Sequence, residues 1–187
     1  MVSVTSATLA PALTSRACAF CGATGAMTRE HVWPRWMQSF ARHPSGRYRF
    51  GIAGELATLK DFVAPTFTQT LKRVCAGCNN GCMAQLEADV QALALRMDGG
   101  GTVILDRDEE DVLSRRLLKT ALVTALLQDH LATRVDGAHY GIAGKGTLSS
   151  NTTVWLGRYE GTEMDAGSWL HRFDCTDRQA PHVTGQG

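Results

Sequence analysis

Apolar residues recur at three- and four-residue intervals in two stretches of the chain, and these are its clearest predicted elements. Met83, Leu86, Val90, Leu93 and Met97 mark one face of a helix, and Gly99-Gly100-Gly101 should stop it, because glycine ends a helix at little steric cost. Leu113, Leu117, Ala121, Leu122, Ala125 and Leu126 form the apolar stripe of a second helix reaching about Leu131. Asp108-Glu109-Glu110-Asp111 precede it, acids that suit the positive end of a helix. A third, shorter helix is predicted from Trp33-Pro34 through Trp36, Met37 and Phe40, ending near His43-Pro44, since proline fits a first helical turn.

The extended segments are shorter. Met27 to His31 reads as a brief strand, and Thr66 to Val74, rich in Thr, Phe, Leu and Val, as another. Between them, glycines and prolines surround the alternating piece Tyr48 to Ile52, which predicts a hairpin or an irregular insertion over 44–66. From Asn151 to Cys175, Val154-Trp155-Leu156, Tyr159 and Trp169 to Phe173 suggest a β-hairpin packed on the long helix. The expectation is an α+β fold in three parts: a flexible N-terminal arm over 1–15, a compact unit over 16–100, and a helical and β extension over 101–187 packed on it.

The longest apolar run, Ala121 to Leu127, is interrupted by Thr124 and falls far short of the roughly 18 to 20 residues that cross a bilayer. Met1 to Ser15 lacks the basic start of a secretory signal, so a cytoplasmic, reducing location is expected. That location changes how the cysteines read. Cys18-x-x-Cys21 and Cys75-x-x-Cys78 are two turns that each present two sulfurs, and together they fill the tetrahedral shell of a structural Zn2+. Gly22 should take the positive φ that such a turn needs. A thioredoxin-like redox role is weaker, because neither pair opens a helix within a β-α-β unit. Cys82 and Cys175 read as small buried residues rather than ligands.

The formal net charge is +1, yet the charge is unevenly spread. Residues 16–75 carry nine Lys and Arg against three Asp and Glu, a net +6; residues 76–187 carry ten against fifteen, a net −5. The cysteine-bearing half is therefore the basic one, as a face for a polyanion requires.

Between and after the cysteine pairs lie Thr28-Arg29-Glu30-His31-Val32-Trp33-Pro34 and Val74-Cys75-Ala76-Gly77-Cys78-Asn79-Asn80-Gly81. Over about Cys18 to Glu87 the chain resembles the HNH endonucleases. The resemblance implies a zinc-braced ββα-metal core, here with a C-terminal helix and β-hairpin extension. It further implies a divalent-metal-dependent endonuclease in which His31 is the general base, with Glu30 and Asn79 holding a catalytic Mg2+ or Mn2+. Independently, a histidine can deprotonate water near neutral pH, and Glu and Asn are hard oxygen donors suited to such cations.

Arg29, Arg35, Lys72 and Arg73 flank these residues and are candidate phosphate contacts, with DNA the expected partner and RNA the second choice. The chain departs from the HNH pattern at Thr70, where the middle Asn usually stands, so Thr70 or Gln69 is left to orient the base. Glu87 is expected to face water. The competing reading is a catalytically inactive zinc-knuckle module that binds nucleic acid or protein. In it, His31 is a satisfied core residue and Asn79 caps the helix that follows.

Overall fold

A computed structural model describes residues 17–40, 45–50, 60–65, 67–99, 101–127, 135–148 and 152–157. The chain is mixed α and β. Strand β1, Met27–His31, pairs antiparallel with β4, Thr70–Cys75, while β2, Ser45–Phe50, pairs antiparallel with β3, Lys60–Pro65, as a separate two-stranded sheet. The insertion expected over 44–66 thus includes a hairpin ladder from Ser45↔Pro65 to Phe50↔Lys60. A 3-10 helix, Arg35–Phe40, stands where the shortest helix was predicted; its predicted end at His43-Pro44 lies outside the described residues.

β4 begins at Thr70, four residues later than the sequence suggests. Phe67 takes φ 60, a left-handed conformation that turns the chain before the strand starts, and its ring packs edge-on against Trp33 with centroids 5.5 Å apart. After β4 the chain runs straight into a short helix, α1, Ala76–Cys78, then a π-helical turn, Asn79–Met83, and then α2, Ala84–Asp98. Gly81, at φ −96 and ψ −110, breaks the helical path between them. Gly99 closes α2, as predicted.

Helix α3, Arg107–Leu126, starts at a capping box. Asp106 Oδ1 accepts from the Glu109 N–H at 2.8 Å, and Glu109 Oε2 accepts from the Asp106 N–H at 3.2 Å. Arg96 near the end of α2 pairs with Glu109, tying the two helices where they meet. The buried face of α3 differs from the predicted stripe: Ala121 is exposed, whereas Arg116, Lys119 and Thr120 are buried beside Leu113, Leu122, Val123, Ala125 and Leu126. A fourth helix, α4, Gly137–Gly144, was not anticipated; Asp136 caps it through a bond from the Ala138 N–H.

Residues 152–157 carry no strand. The rest of the hairpin expected over 151–175 lies outside the described residues, as does the arm over 1–15.

One apolar cluster gathers the first cysteine turn, the β1–β4 pair, α3 and α4: Phe20, Val32, Leu71, Val74, Met83, Leu122, Val123, Leu126 and Tyr140. A second joins Val90 and Leu93 of α2 to Leu113 of α3, with Trp36 packed against it. Among the described residues, no helix is long and apolar enough to cross a membrane.

Candidate functional site

The first cysteine turn closes on itself and docks on β4. The Gly22 N–H donates to Cys18 O at 2.8 Å, the Cys18 N–H to Ala23 O at 2.9 Å, and the Ala19 N–H to Arg73 O at 3.0 Å. Gly22 takes φ 73, as the turn was predicted to require. The second turn is the junction of β4 and α1, so Cys75 ends the strand while Cys78 lies on the helix. The ligand atoms of Cys18, Cys21, Cys75 and Cys78 all lie within 4.8 Å of one another.

An ion about 2.3 Å from each of four tetrahedral sulfurs separates them by roughly 3.8 Å. The Cys21 and Cys75 sulfurs stand 3.6 Å apart, and all four cysteines are free thiols, so the donor set fits Zn2+. Crowding already divides the thiols. Against the upward push of burial, backbone groups of Cys75, Cys21 and Phe20 bring Cys18 down to about 7, while burial and its sulfur neighbours push Cys78 up. Cys82 is exposed rather than buried. Its sulfur lies 3.5 Å from Gly144 O, outside the four-sulfur cluster.

The strand pair then carries the chemistry away from the sulfurs. Met27 faces Cys75 and Thr28 faces Val74, but Glu30 faces Leu71 and His31 faces Thr70. The register shifts between Thr28 and Glu30, so Arg29 stands opposite both Lys72 and Arg73. This bulge concentrates three of the four predicted phosphate contacts at one place. Arg29 and Lys72 are exposed, Arg73 is half-buried, and Arg35 is exposed at the start of the 3-10 helix.

Asn79 does not cap the helix that follows, whose N-cap positions are Cys78 and Met83. Its Nδ2 donates to Thr28 Oγ1 and to Arg29 O, each at 2.9 Å, and Thr28 Oγ1 in turn donates to Val74 O at 3.1 Å. The amide therefore stitches the helical segment after the cysteines onto β1. Beyond it, the Val32 N–H donates to Gln69 O at 3.0 Å, so Gln69 holds the end of β1 through its backbone, and Thr70 is an exposed strand partner of His31.

His31 is half-buried. Burial lowers its imidazole below the ordinary value of 6.5, Arg35 and Lys119 push the same way, and Glu87 opposes them. The ring is thus biased towards its neutral, proton-accepting form at neutral pH.

Glu30 does not behave as a presented metal ligand. It is 2 % exposed and ion-paired with Lys119 of α3, itself 3 % exposed. Burial raises the Glu30 carboxyl, with Glu87 adding to the rise and Lys119 and Arg116 pulling against it. The expectation that Glu30 reaches out to a cation is therefore corrected: on a strand with alternating faces, Glu30 points with Leu71 into the interior, where α3 supplies its counter-charge.

Glu87 does not simply face water either. Its Oε1 accepts from Lys119 Nζ at 2.9 Å. Arg116 completes the group, donating to Val32 O at 3.4 Å and contacting Thr120 Oγ1. Sequence reasoning missed Lys119 and Arg116. The available signal was two cations set three residues apart among the apolar positions of α3.

No protein-family model, curated protein or solved structure matches this chain. The likeness to HNH endonucleases rests on its own residues. What is established is a four-cysteine cluster able to hold a metal, built onto a small antiparallel strand pair within a mixed helix and strand fold.

Proposed function

We propose that this chain is an HNH-type endonuclease that hydrolyses phosphodiester bonds of DNA, with His31 as general base and structural zinc at the four cysteines. The observation that carries the reading is the setting of His31. A half-exposed imidazole, biased towards its neutral form, sits at the end of a strand whose backbone is held by Asn79, Gln69 and Lys119. Such a group can take the proton of a water attacking phosphorus. The exposed Arg29, Lys72 and Arg35, with Arg73, give the same region the positive charge that a phosphate backbone seeks.

A divalent cation would supply Lewis-acid stabilisation of the phosphate charge. As arranged, however, the Glu30 carboxylate is committed to Lys119, and Asn79, whose amide nitrogen is engaged with β1, would offer the cation its side-chain oxygen alone.

That same burial of Glu30 favours a second reading, a nucleic-acid-binding module with the same strand pair and zinc but no catalysis. Supercoiled plasmid incubated with purified protein and Mg2+ or Mn2+ separates the two. A nuclease nicks it and loses the activity on His31→Ala while keeping its zinc and its fold. Salt-sensitive binding without cleavage under any divalent metal overturns the nuclease and leaves the binding module.

A further inference from the structure

Two cations of α3 end on consecutive backbone carbonyls beside the proposed base. Lys119 Nζ donates to His31 O at 3.2 Å and Arg116 Nη2 donates to Val32 O at 3.4 Å. Both side chains are buried, and Glu30 of β1 and Glu87 of α2 supply two negative charges against their two positive ones. The neutral quartet therefore joins three elements that are distant in sequence.

Stability alone is a poor reason for such a group, since apolar side chains of similar volume usually fill a core as well or better. What apolar side chains lack is direction. A charged donor on a carbonyl restrains the plane of its peptide, and the His31–Val32 peptide begins at the Cα from which the imidazole departs.

We propose that Lys119, assisted by Arg116, is a positioning residue: it sets the His31–Val32 peptide and so aims the imidazole, making α3 part of the site rather than a support behind it. The catalytic consequence rests on the nuclease reading above; the structural one does not. Because Lys119 and Arg116 bind Glu30, Glu87, Thr120 and the His31 and Val32 carbonyls rather than the cysteine sulfurs, and Arg29 and Lys72 stay exposed, their loss should act on turnover rather than on substrate affinity.

The test uses the full-length double variant Glu30→Gln/Lys119→Met, which removes one charge of each sign at similar volume. Its zinc content and cooperative unfolding should persist, while kcat for plasmid nicking falls by about ten-fold or more at unchanged KM. In heteronuclear NMR without divalent cation, the Val32 amide and His31 ring signals should move while those of the cysteine turns stay. Wild-type turnover, or unmoved His31 and Val32 signals, overturns the proposal.

If the double variant does not fold, Lys119→Arg keeps both ion pairs but relocates the donor, and the same signals and the same kcat decide. Should the wild-type protein cut no DNA, the nuclease reading fails by itself. The NMR comparison then still judges the positioning.

Discussion

The strand pair β1–β4 is anchored differently at its two ends. At the Met27 and Cys75 end, four thiols converge on a volume suited to one zinc ion; at the His31 and Thr70 end, Lys119 and Arg116 meet Glu30, Glu87 and two backbone carbonyls. The first anchor is made of two short local turns that bring four sulfurs within 4.8 Å of one another. The second exists only when α2 and α3 are already docked, because its charges are tolerable only with all partners present. One end should thus answer to chelators and oxidants, and the other to charge deletion and pH.

The largest effect belongs to the sulfur end. The purified chain should contain one zinc per molecule by elemental analysis. Stripping it, or replacing Cys78 with Ser, should abolish the cooperative thermal transition, since structural zinc contributes on the order of 10 kcal/mol in small domains. A sharp, unshifted melt after complete metal removal would break the comparison at its first half.

Next comes Lys119→Met, which leaves Glu30 and Glu87 without their shared cation. A loss of about 3–5 kcal/mol in urea unfolding is expected, with Glu30→Gln recovering a substantial part. Burial already raises Glu30, and a carboxyl whose folded pKa lies above its unfolded value opposes folding increasingly as pH rises through that folded value. The deficit of Lys119→Met should therefore shrink as pH is lowered towards the raised Glu30 pKa. A deficit that grows on acidification contradicts the assignment.

A smaller effect tests how α4 supports the sulfur end. A Cβ on Gly144 would lie 2.9 Å from Phe20 O, and Phe20 packs edge-on against the buried Tyr140 with ring centroids 5.5 Å apart. Gly144→Ala should cost about 1–3 kcal/mol by forcing helix and turn apart. Hydrogen exchange should quicken around Phe20 more than around Val32, and equal quickening at both ends would blur the distinction drawn here.

The smallest effect concerns His31. Its folded pKa is lowered, so its contribution to stability is fully present above 6.5 and is lost as pH falls through the folded value. Subtracting the stability profile of His31→Ala from that of wild type should reveal this shallow slope below pH 6.5. An NMR titration midpoint above 6.5 would reverse the sign.

The two anchors also differ in how readable they are. Cys18, Cys21, Cys75 and Cys78 announce themselves because each turn is local and thiol spacing translates directly into ligand geometry. The strand at Met27–His31, the helix closed by Gly99 and the long helix α3 were legible for similar reasons, through short-range period and punctuation. Lys119 and Arg116 were not: on a helix they look like solvent-facing charges, and their burial depends on Glu30, Glu87 and two carbonyls whose approach is set by tertiary packing. The same blindness made Ala121 seem buried and Glu87 seem exposed to water. Helix α4 escaped because five of its eight residues are Gly or Ala, a composition that hides an apolar face; Tyr140 is its one fully buried side chain.

The bulge opposite Arg29 means that the two anchors are clamped one step out of phase along the ladder. Removing a single residue at Lys72 or Arg73 would straighten the strand while leaving Cys75 opposite Met27 and Leu71 opposite Glu30, so both anchors would keep their partners. The extra residue is consequently a device for charge rather than for register: it sets two cations instead of one across from Arg29.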